Sequence, residues 1–440
     1  MKQGHVRKRG KTWYYQFRLP EKGPDGKPDY DTKGGFATEK EAWAACRNAM
    51  KAVEQNKRVK PSKLTVGAFF DEWLPAIEMV VDATTYDNWR TFARAYVQPE
   101  LGGTDLQKLT TPMLMVFYSK LLTEGRIKPD TNIVMYEYWA RATGRGDQPT
   151  PQQIVTACGV SIHAARAAVR RYRNGRIPIA KPPGLAPKTV RNIHIMIHRA
   201  LVDAVAWKYL VDNPAEKAKP PRLARSRRPV WMPEQATRFM DSVRYDRFYA
   251  LFRLELTTGL RRAEICGIRW PSLDLGTGVL SVHQGRVVVA GRAQDAEVKT
   301  EDSARLIAID PETVEALRVW KAIQDAERAL YGDDYRDSDL VFTYDDGRPV
   351  HPDSIRERFK RLAAHAGLPE IRFYDLRHTY VTGALRAGIN PKVVSQRVGH
   401  ADVAFTMKTY QHVLPGMDED AAARAAAHML GGTPRTPPHE

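Results

Sequence analysis

Apolar residues return every three or four positions through "LTVGAFFDEWLPAIEMV", "TTYDNWRTFARAYVQPEL" and "TTPMLMVFYSKLLTEG", and again through "PKTVRNIHIMIHRALVDAVAWKYL" at 187–210. Strand side chains alternate between two faces, so a stripe of that period can be buried only by helices packed on one another. Gly and Pro punctuate the segments within 64–126. The fourth helix belongs with the first three. That predicts one helical domain over 64–215 and makes 127–184 an insertion into it.

The insertion has its own signature. From Gln148 to Val202 there is no Asp or Glu, but there are nine Lys or Arg. Within it, "TPQQIVTACGVSIHAARAAVRRYRNG" has the rhythm of a helix-turn-helix: a short helix ends at Gly159, and Ser161 can cap the next. Arg166, Arg170 and Arg173 recur on one face of that second helix. A basic helix without carboxylates suits phosphate contacts, since each neutralised phosphate releases counterions. A basic hairpin that only packs is the alternative.

Residues 1–60 form a small β-then-α unit, expected as a three-stranded sheet plus a helix. "KTWYYQFRL" and "KPDYDTKGGF" are strand-like, with Gly, Pro and Asp turns around them. In "TEKEAWAACRNAMKAVEQ", Thr38 and Glu41 have the spacing of a capping box. Basic residues, Arg7, Lys8, Arg9 and Lys11 among them, lie beside Trp13, Tyr14, Tyr15 and Phe17. Such a sheet either reads a DNA groove or uses its aromatics as a core.

The net charge of +17 and the pI near 9.7 call for a polyanionic partner. Nucleic acid fits better than a membrane surface, because the basic residues lie in folded-looking segments; a merely soluble basic protein is the other reading. The sequence holds no run of about 18 apolar residues, so no membrane span is expected. The basic start lacks an apolar core, so it does not read as a secretory signal. Cys46, Cys158 and Cys266 are odd in number, far apart and in no metal-ligand spacing. They read as reduced, buried thiols of a cytoplasmic protein. The sequence carries no P-loop and no metal-ligand cluster, so no cofactor is expected.

"AEKAKPPRLARSRRP" contains an extended basic linker at 216–229, and the chemistry falls in 230–430, ahead of a disordered tail at 431–440. "LELTTGLRRAEICGIRW" reads as helix, Gly break, helix. Arg261 stands at the second helix's start, where phosphate is favoured, with Glu264 three residues on to orient it. Such pairs are also common on plain surfaces. Strand-like segments follow, and Lys299 sits where one meets the turn "TEDS", either solvated or functional. In "FYDLRHT", Tyr374 and Arg377 share a helical face; His400 and Tyr410 lie further on. Two Arg, a His, a Tyr and a Lys could serve phosphoryl transfer. The arginines would stabilise charge on a pentavalent phosphate, the tyrosine would attack, and the lysine would protonate the leaving oxygen.

In order and spacing, "TTGLRRAEICGIRW", "VKTEDSARLIAI" and "YDLRHTYVTGALRAGINPKVVSQRVGHADVAFTMKTYQHVLP" resemble the tyrosine recombinase (phage integrase) family. The resemblance is strong over 230–415. It implies a mainly α, multidomain fold with small β-sheets: an arm-type DNA-binding domain, a helical core-binding domain and a mixed α/β catalytic domain. By position, Arg261 and Arg377 resemble the arginines that clamp the scissile phosphate, and Lys299 the general acid. His400 resembles the histidine that hydrogen-bonds the phosphate, Glu264 the carboxylate supporting the first arginine, and Tyr410 the nucleophile. His378 matches a family residue that is not catalytic and reads as packing or capping.

Tyr374 departs from the pattern, since the family usually has His there. A tyrosine can donate a hydrogen bond to phosphate but is a poor base near neutral pH, its ordinary pKa being about 10. The resemblance implies an integrase acting at double-stranded DNA attachment sites through a 3′-phosphotyrosyl link. It further implies a homotetramer on synapsed DNA, use by a phage or mobile element, and work beside the host nucleoid. Long forms often need an excision factor and a DNA-bending host protein. The rivals are a type IB topoisomerase and a non-catalytic DNA-binding regulator.

Overall fold

The computed structural model describes residues 4–22, 26–54, 59, 61–223, 229–297, 304–400, 402–404, 407 and 425–430. The chain divides into two compact units, Met1–Ala224 and Arg225–Glu440. It is mainly helical with small antiparallel sheets, as expected from its periodicity.

The first unit opens with β1 (His5–Arg9), β2 (Thr12–Lys22) and β3 (Pro28–Phe36), paired antiparallel in that order, and α1 (Glu39–Glu54). Gly10, at φ 62°, begins the two-residue turn between β1 and β2, where a side chain would be strained. Thr38 and Glu41 make the capping box that starts α1: the Thr38 hydroxyl accepts from the Glu41 N–H at 3.2 Å, and the Glu41 carboxylate accepts from the Thr38 N–H at 3.4 Å. Alternation along β2 divides the aromatics. Tyr15, Phe17 and Leu19 are buried with Cys46 of α1. Tyr14 and Arg18 belong to the opposite phase, across from Arg7 of β1 and from Tyr30 of β3. Part of the aromatic set therefore forms the core of the sheet, while Tyr14 stands on the other phase, opposite Arg7.

The helical bundle comprises α2 (Val66–Ile77), α3 (Ala83–Phe92), α4 (Gln98–Leu101), α5 (Thr111–Glu124) and, after the insertion, α9 (Pro187–Ala206). Phe69, Phe70 and Trp73 of α2, Leu114 and Phe117 of α5, and Ile193, Met196 and Ile197 of α9 lie in one core, so the helix after the insertion packs with helices before it. The insertion holds α6 (Thr131–Gly144), α7 (Pro151–Cys158) and α8 (Ile162–Arg173). Its core is separate: Met135, Ile154, Ala165, Ala168, Val169 and Tyr172.

The second unit contains α10 (Pro233–Ser242), α11 (Tyr249–Thr258) and α12 (Arg262–Gly267), then β4 (Leu273–Asp274), β5 (Val279–Val282), β6 (Gln284–Val289), β7 (Arg292–Glu297) and β8 (Arg305–Ala308). It continues with α13 (Pro311–Tyr331), α14 (Pro352–His365), α15 (Asp375–Arg386) and α16 (Pro391–Val398). Strands β4, β5 and β8 form one antiparallel sheet, and β6 and β7 a hairpin. Phe239 packs ring against ring with Trp231, Phe252 and Phe359, and Phe359 with Phe373, at centroid distances of 5.1 to 5.7 Å. Truncating one such ring costs about 3–5 kcal/mol, so this aromatic core holds the frame on which the polar residues below are mounted. Among the described residues no helix is long and apolar enough to cross a membrane. Cys46 and Cys266 are buried, and Cys158 is half-buried.

Candidate active site

The Gly break predicted after α11 is a left-handed C-cap. Gly259 has φ 64°, and its N–H donates to the Glu255 carbonyl at 2.9 Å. A side chain there would also collide with Tyr380, since a Cβ would lie 2.5 Å from its ring. The turn brings Arg261 to the N-cap of α12. Its backbone N–H donates to Glu264 Oε2 at 2.8 Å, and its guanidinium donates to Glu264 Oε1 at 2.7 Å.

Glu264 is therefore no surface partner. Its side chain is 4% exposed, and it takes a second guanidinium from Arg305, at 2.8 and 3.2 Å. Burial alone would raise its carboxyl. Hydrogen bonds and charge from Arg305, then from Arg261, outweigh burial and hold it below the ordinary carboxylate range. Arg305 pairs with Val282 in the sheet, two residues from the buried Ile307, and so lies on the inward phase of β8.

Arg377, in the first turn of α15, is 1% exposed. It donates to the carbonyls of Gly259 at 2.7 Å and Val398 at 2.5 Å. Burial, then repulsion from Arg261, brings its guanidinium down to about 10, which leaves it charged at neutral pH. The three arginines share one anchor. Arg305 donates to the Arg397 carbonyl at 2.7 Å, Arg377 to that of Val398, and Arg261 to that of Gly399 at 2.5 Å. These are consecutive carbonyls at the C-terminal end of α16, where helical partners run out and the helix dipole favours cations. Gly399 is left-handed at φ 64°, and a Cβ there would lie 2.9 Å from Arg305 Nη1 and 3.4 Å from Arg261 Nη1.

His400 follows directly. Its N–H donates to the Ser395 carbonyl at 3.0 Å. Burial, then the charges of Arg377, Arg261, His378 and Arg305, bring its imidazole down to about 4. It is a neutral imidazole at pH 7, able to donate one hydrogen bond and accept one. Glu255, on α11, is 1% exposed, and its Oε2 has no hydrogen-bond partner. Burial, opposed by Arg377 and helped by Glu264, pushes its carboxyl well above the ordinary range. Within this cluster, three guanidinium groups outnumber two carboxylates, and burial biases Glu255 toward its neutral form. The imbalance favours an anion, and paired guanidinium donors suit a phosphate.

Arg261, Glu264, Arg377 and His400 therefore converge. Tyr374 does so only partly. It precedes α15, is 43% exposed, and packs its ring edge-on against the buried His378 at 5.2 Å. The start of α15 is fixed instead by Asp375, which accepts from the Arg372 N–H at 2.9 Å and from its guanidinium. Lys299 and Tyr410 lie outside the described residues. The flanks of Lys299 are described: β7 ends at Glu297 and β8 begins at Arg305, and the hairpin backbone meets α12 where Gly285 approaches Gly267. Arg7, Lys8, Arg9 and Lys11 are exposed on β1 and its turn, and Arg166, Arg170 and Arg173 are exposed on α8. Those residues belong to the first unit.

Arg305 and Glu255 are absent from the sequence-based set. Arg305 left one legible trace, a charge in phase with Ile307 in "ARLIAI". Glu255 left none, since one carboxylate in an amphipathic helix reads as solvent-facing.

Residues 230–416 match the phage integrase family, and residues 5–53 match an arm DNA-binding domain. The ICEBs1 integrase of Bacillus subtilis (strain 168) is 26% identical over 241 residues, which cover 54% of this chain and 65% of that protein. A XerC-like tyrosine recombinase of Caldanaerobacter subterraneus subsp. tengcongensis is 25% identical over 256 residues, covering 54% and 66%. The matched segment spans just under two thirds of either relative. The fold resembles that of a Tn1549 transposon integrase solved in complex with a circular intermediate DNA, with a TM-score of 0.56 and 17% identity over 79% of this chain and 95% of that one. The chain carries a phage integrase family domain over residues 230–416 and an N-terminal arm DNA-binding domain over residues 5–53.

Proposed function

We propose that the protein is a site-specific DNA recombinase that cuts and rejoins duplex DNA at attachment sites, integrating or excising a phage or mobile element. The observation that carries the proposal is the convergence of Arg261, Arg377 and the neutral His400 at one helix end, with Arg305 and Glu264 locking the first arginine.

In this scheme Arg261 and Arg377 bind the non-bridging oxygens of the scissile phosphate and stabilise the charge that grows as phosphorus becomes pentavalent. His400 donates a hydrogen bond to the same phosphate. The Tyr410 oxygen attacks phosphorus as its proton passes to water, and the bond to the 5′ oxygen breaks. The products are a 3′-phosphotyrosyl link and a free 5′-hydroxyl, whose proton comes from Lys299. A 5′-hydroxyl from a partner strand reverses the step, so the phosphodiester bond energy is conserved. Tyr374, half-exposed at the start of α15, donates to phosphate rather than accepting the nucleophile's proton. Glu264 acts through Arg261 and is a positioning residue.

A homotetramer on two synapsed duplexes, action beside the host nucleoid, and help from an excision factor and a DNA-bending host protein complete the proposal. Lys299→Ala tests the acid role: it slows cleavage of an ordinary substrate, and a 5′-thio leaving group, which needs no protonation, restores the rate. Failure of that rescue removes Lys299 from the role.

A further inference from the structure

We infer that the insertion is itself a DNA-reading module, a helix-turn-helix that places α8 in the major groove of duplex DNA. The inference stands on the geometry of this module and not on the reading of the catalytic half.

The module is attached as a separate body. The chain leaves the bundle after α5 and returns beside its own exit: the Arg126 N–H donates to the Pro183 carbonyl at 2.7 Å, its side chain to Pro182 at 2.8 Å, and the Leu185 N–H to Leu121 at 2.8 Å. Between these two paired strands of backbone, three helices close a core of their own.

The caps and the turn are those a helix-turn-helix requires. Thr150 and Gln153 form a reciprocal capping box that starts α7. Gly159, at φ 63°, stops it in the left-handed conformation that a three-residue turn between crossing helices needs. Ser161 Oγ accepts from the Ala164 N–H at 3.2 Å and starts α8. One face of α8 is fixed inward by Ala165, Ala168, Val169 and Tyr172, and the Tyr172 hydroxyl donates to the Asn132 carbonyl at 2.9 Å. Packing therefore holds the other face rigidly outward.

That outward face carries His163, Arg166, Arg170 and Arg173, all exposed, at spacings of three, four and three. Among the described residues, no carboxylate pairs with these arginines, and the sequence from 148 to 202 contains none. Cations on a helix face normally find Asp or Glu one turn away, and their absence here leaves the face complementary to a polyanion. A helix of this kind fits the major groove, where guanidinium groups meet guanine edges bidentately and phosphates singly.

The test uses the full chain and a pool of 40-bp duplexes of randomised sequence at fixed salt. Wild-type protein and an Arg166→Ala/Arg170→Ala double variant each select from the pool. The expected result is a short block of base pairs in the wild-type selection that the double variant no longer enriches, while the rest of the selected sequence persists. Arg170→Lys keeps the charge and loses the fork; it should bind random DNA as tightly as wild type but discriminate at one base pair roughly 5- to 150-fold less. Matching far-UV spectra and melting curves confirm that the exposed substitutions leave the module folded. Identical selected sequences and affinities for all three proteins would overturn the inference and leave α8 as packing or as the site of another partner. The selection reads binding only, so it does not depend on whether the catalytic half cleaves.

Discussion

At the residue scale, the chemistry rests on a balance of buried charge. Glu264 holds two guanidinium groups that would otherwise repel each other. Glu264→Ala should therefore destabilise the fold by about 3–5 kcal/mol, the usual cost of breaking a buried pair by removing one partner. Urea unfolding measures this directly, and a loss below about 1 kcal/mol would mean that the pair does not lock Arg261. His400 predicts a pH effect of definite sign. Its folded pKa, near 4, lies below the ordinary histidine value of about 6.5. The unfolded chain therefore binds the proton more readily between those values. The stability His400 contributes is complete above about pH 6.5 and is lost as pH falls toward 4. Comparing wild type with His400→Asn across that window should show a shallower acid loss in the variant. Glu264 adds to the acid loss only at lower pH, because its folded pKa is depressed and its contribution disappears as pH falls below the ordinary carboxylate range.

At the element scale, one helix end organises the site. The last carbonyls of α16 and its left-handed cap accept from Arg305, Arg377 and Arg261 in turn. Gly399→Ala places a methyl group against two of those guanidinium groups and forces a left-handed alanine. The backbone term alone costs about 1–2 kcal/mol. Cleavage should fall much further than stability does, because the arginines move. A variant that cleaves at the wild-type rate would show that this cap does not position them.

Much of this scale was legible in the sequence. The capping pairs Thr38–Glu41 and Arg261–Glu264, and the Gly159–Ser161 turn, are local, and local chemistry dictates them. Tyr15 and Phe17 could not be separated from Tyr14 by composition, because their difference is the phase of β2 relative to α1. Arg305 and Glu255 take their meaning from tertiary neighbours, and the shared carbonyl anchor is backbone geometry that side-chain letters do not encode.

At the scale of the whole molecule, a net charge of +17 distributes over separate basic surfaces. Arg7, Lys8, Arg9 and Lys11 lie exposed in the arm domain, and the α8 arginines in the insertion. Each neutralised phosphate contributes about 0.9 to the slope of log affinity against log salt. Replacing the four arm residues with Ala should lower the slope by about 0.9 for each phosphate they had neutralised, measured by fluorescence anisotropy across a salt series. An unchanged slope would remove β1 from the interface.

In the proposed reaction Tyr410 becomes covalently joined to DNA at a site built by Arg261, Arg377 and His400. A nicked suicide duplex carrying the element's attachment core traps that link, and denaturing electrophoresis reads it. Wild type should form a denaturation-resistant protein–DNA adduct. Tyr410→Phe should bind the same DNA and form none, and Tyr374→Phe should still form it. Absence of the adduct from wild-type protein that demonstrably binds the duplex, or its persistence in Tyr410→Phe, would contradict that reaction.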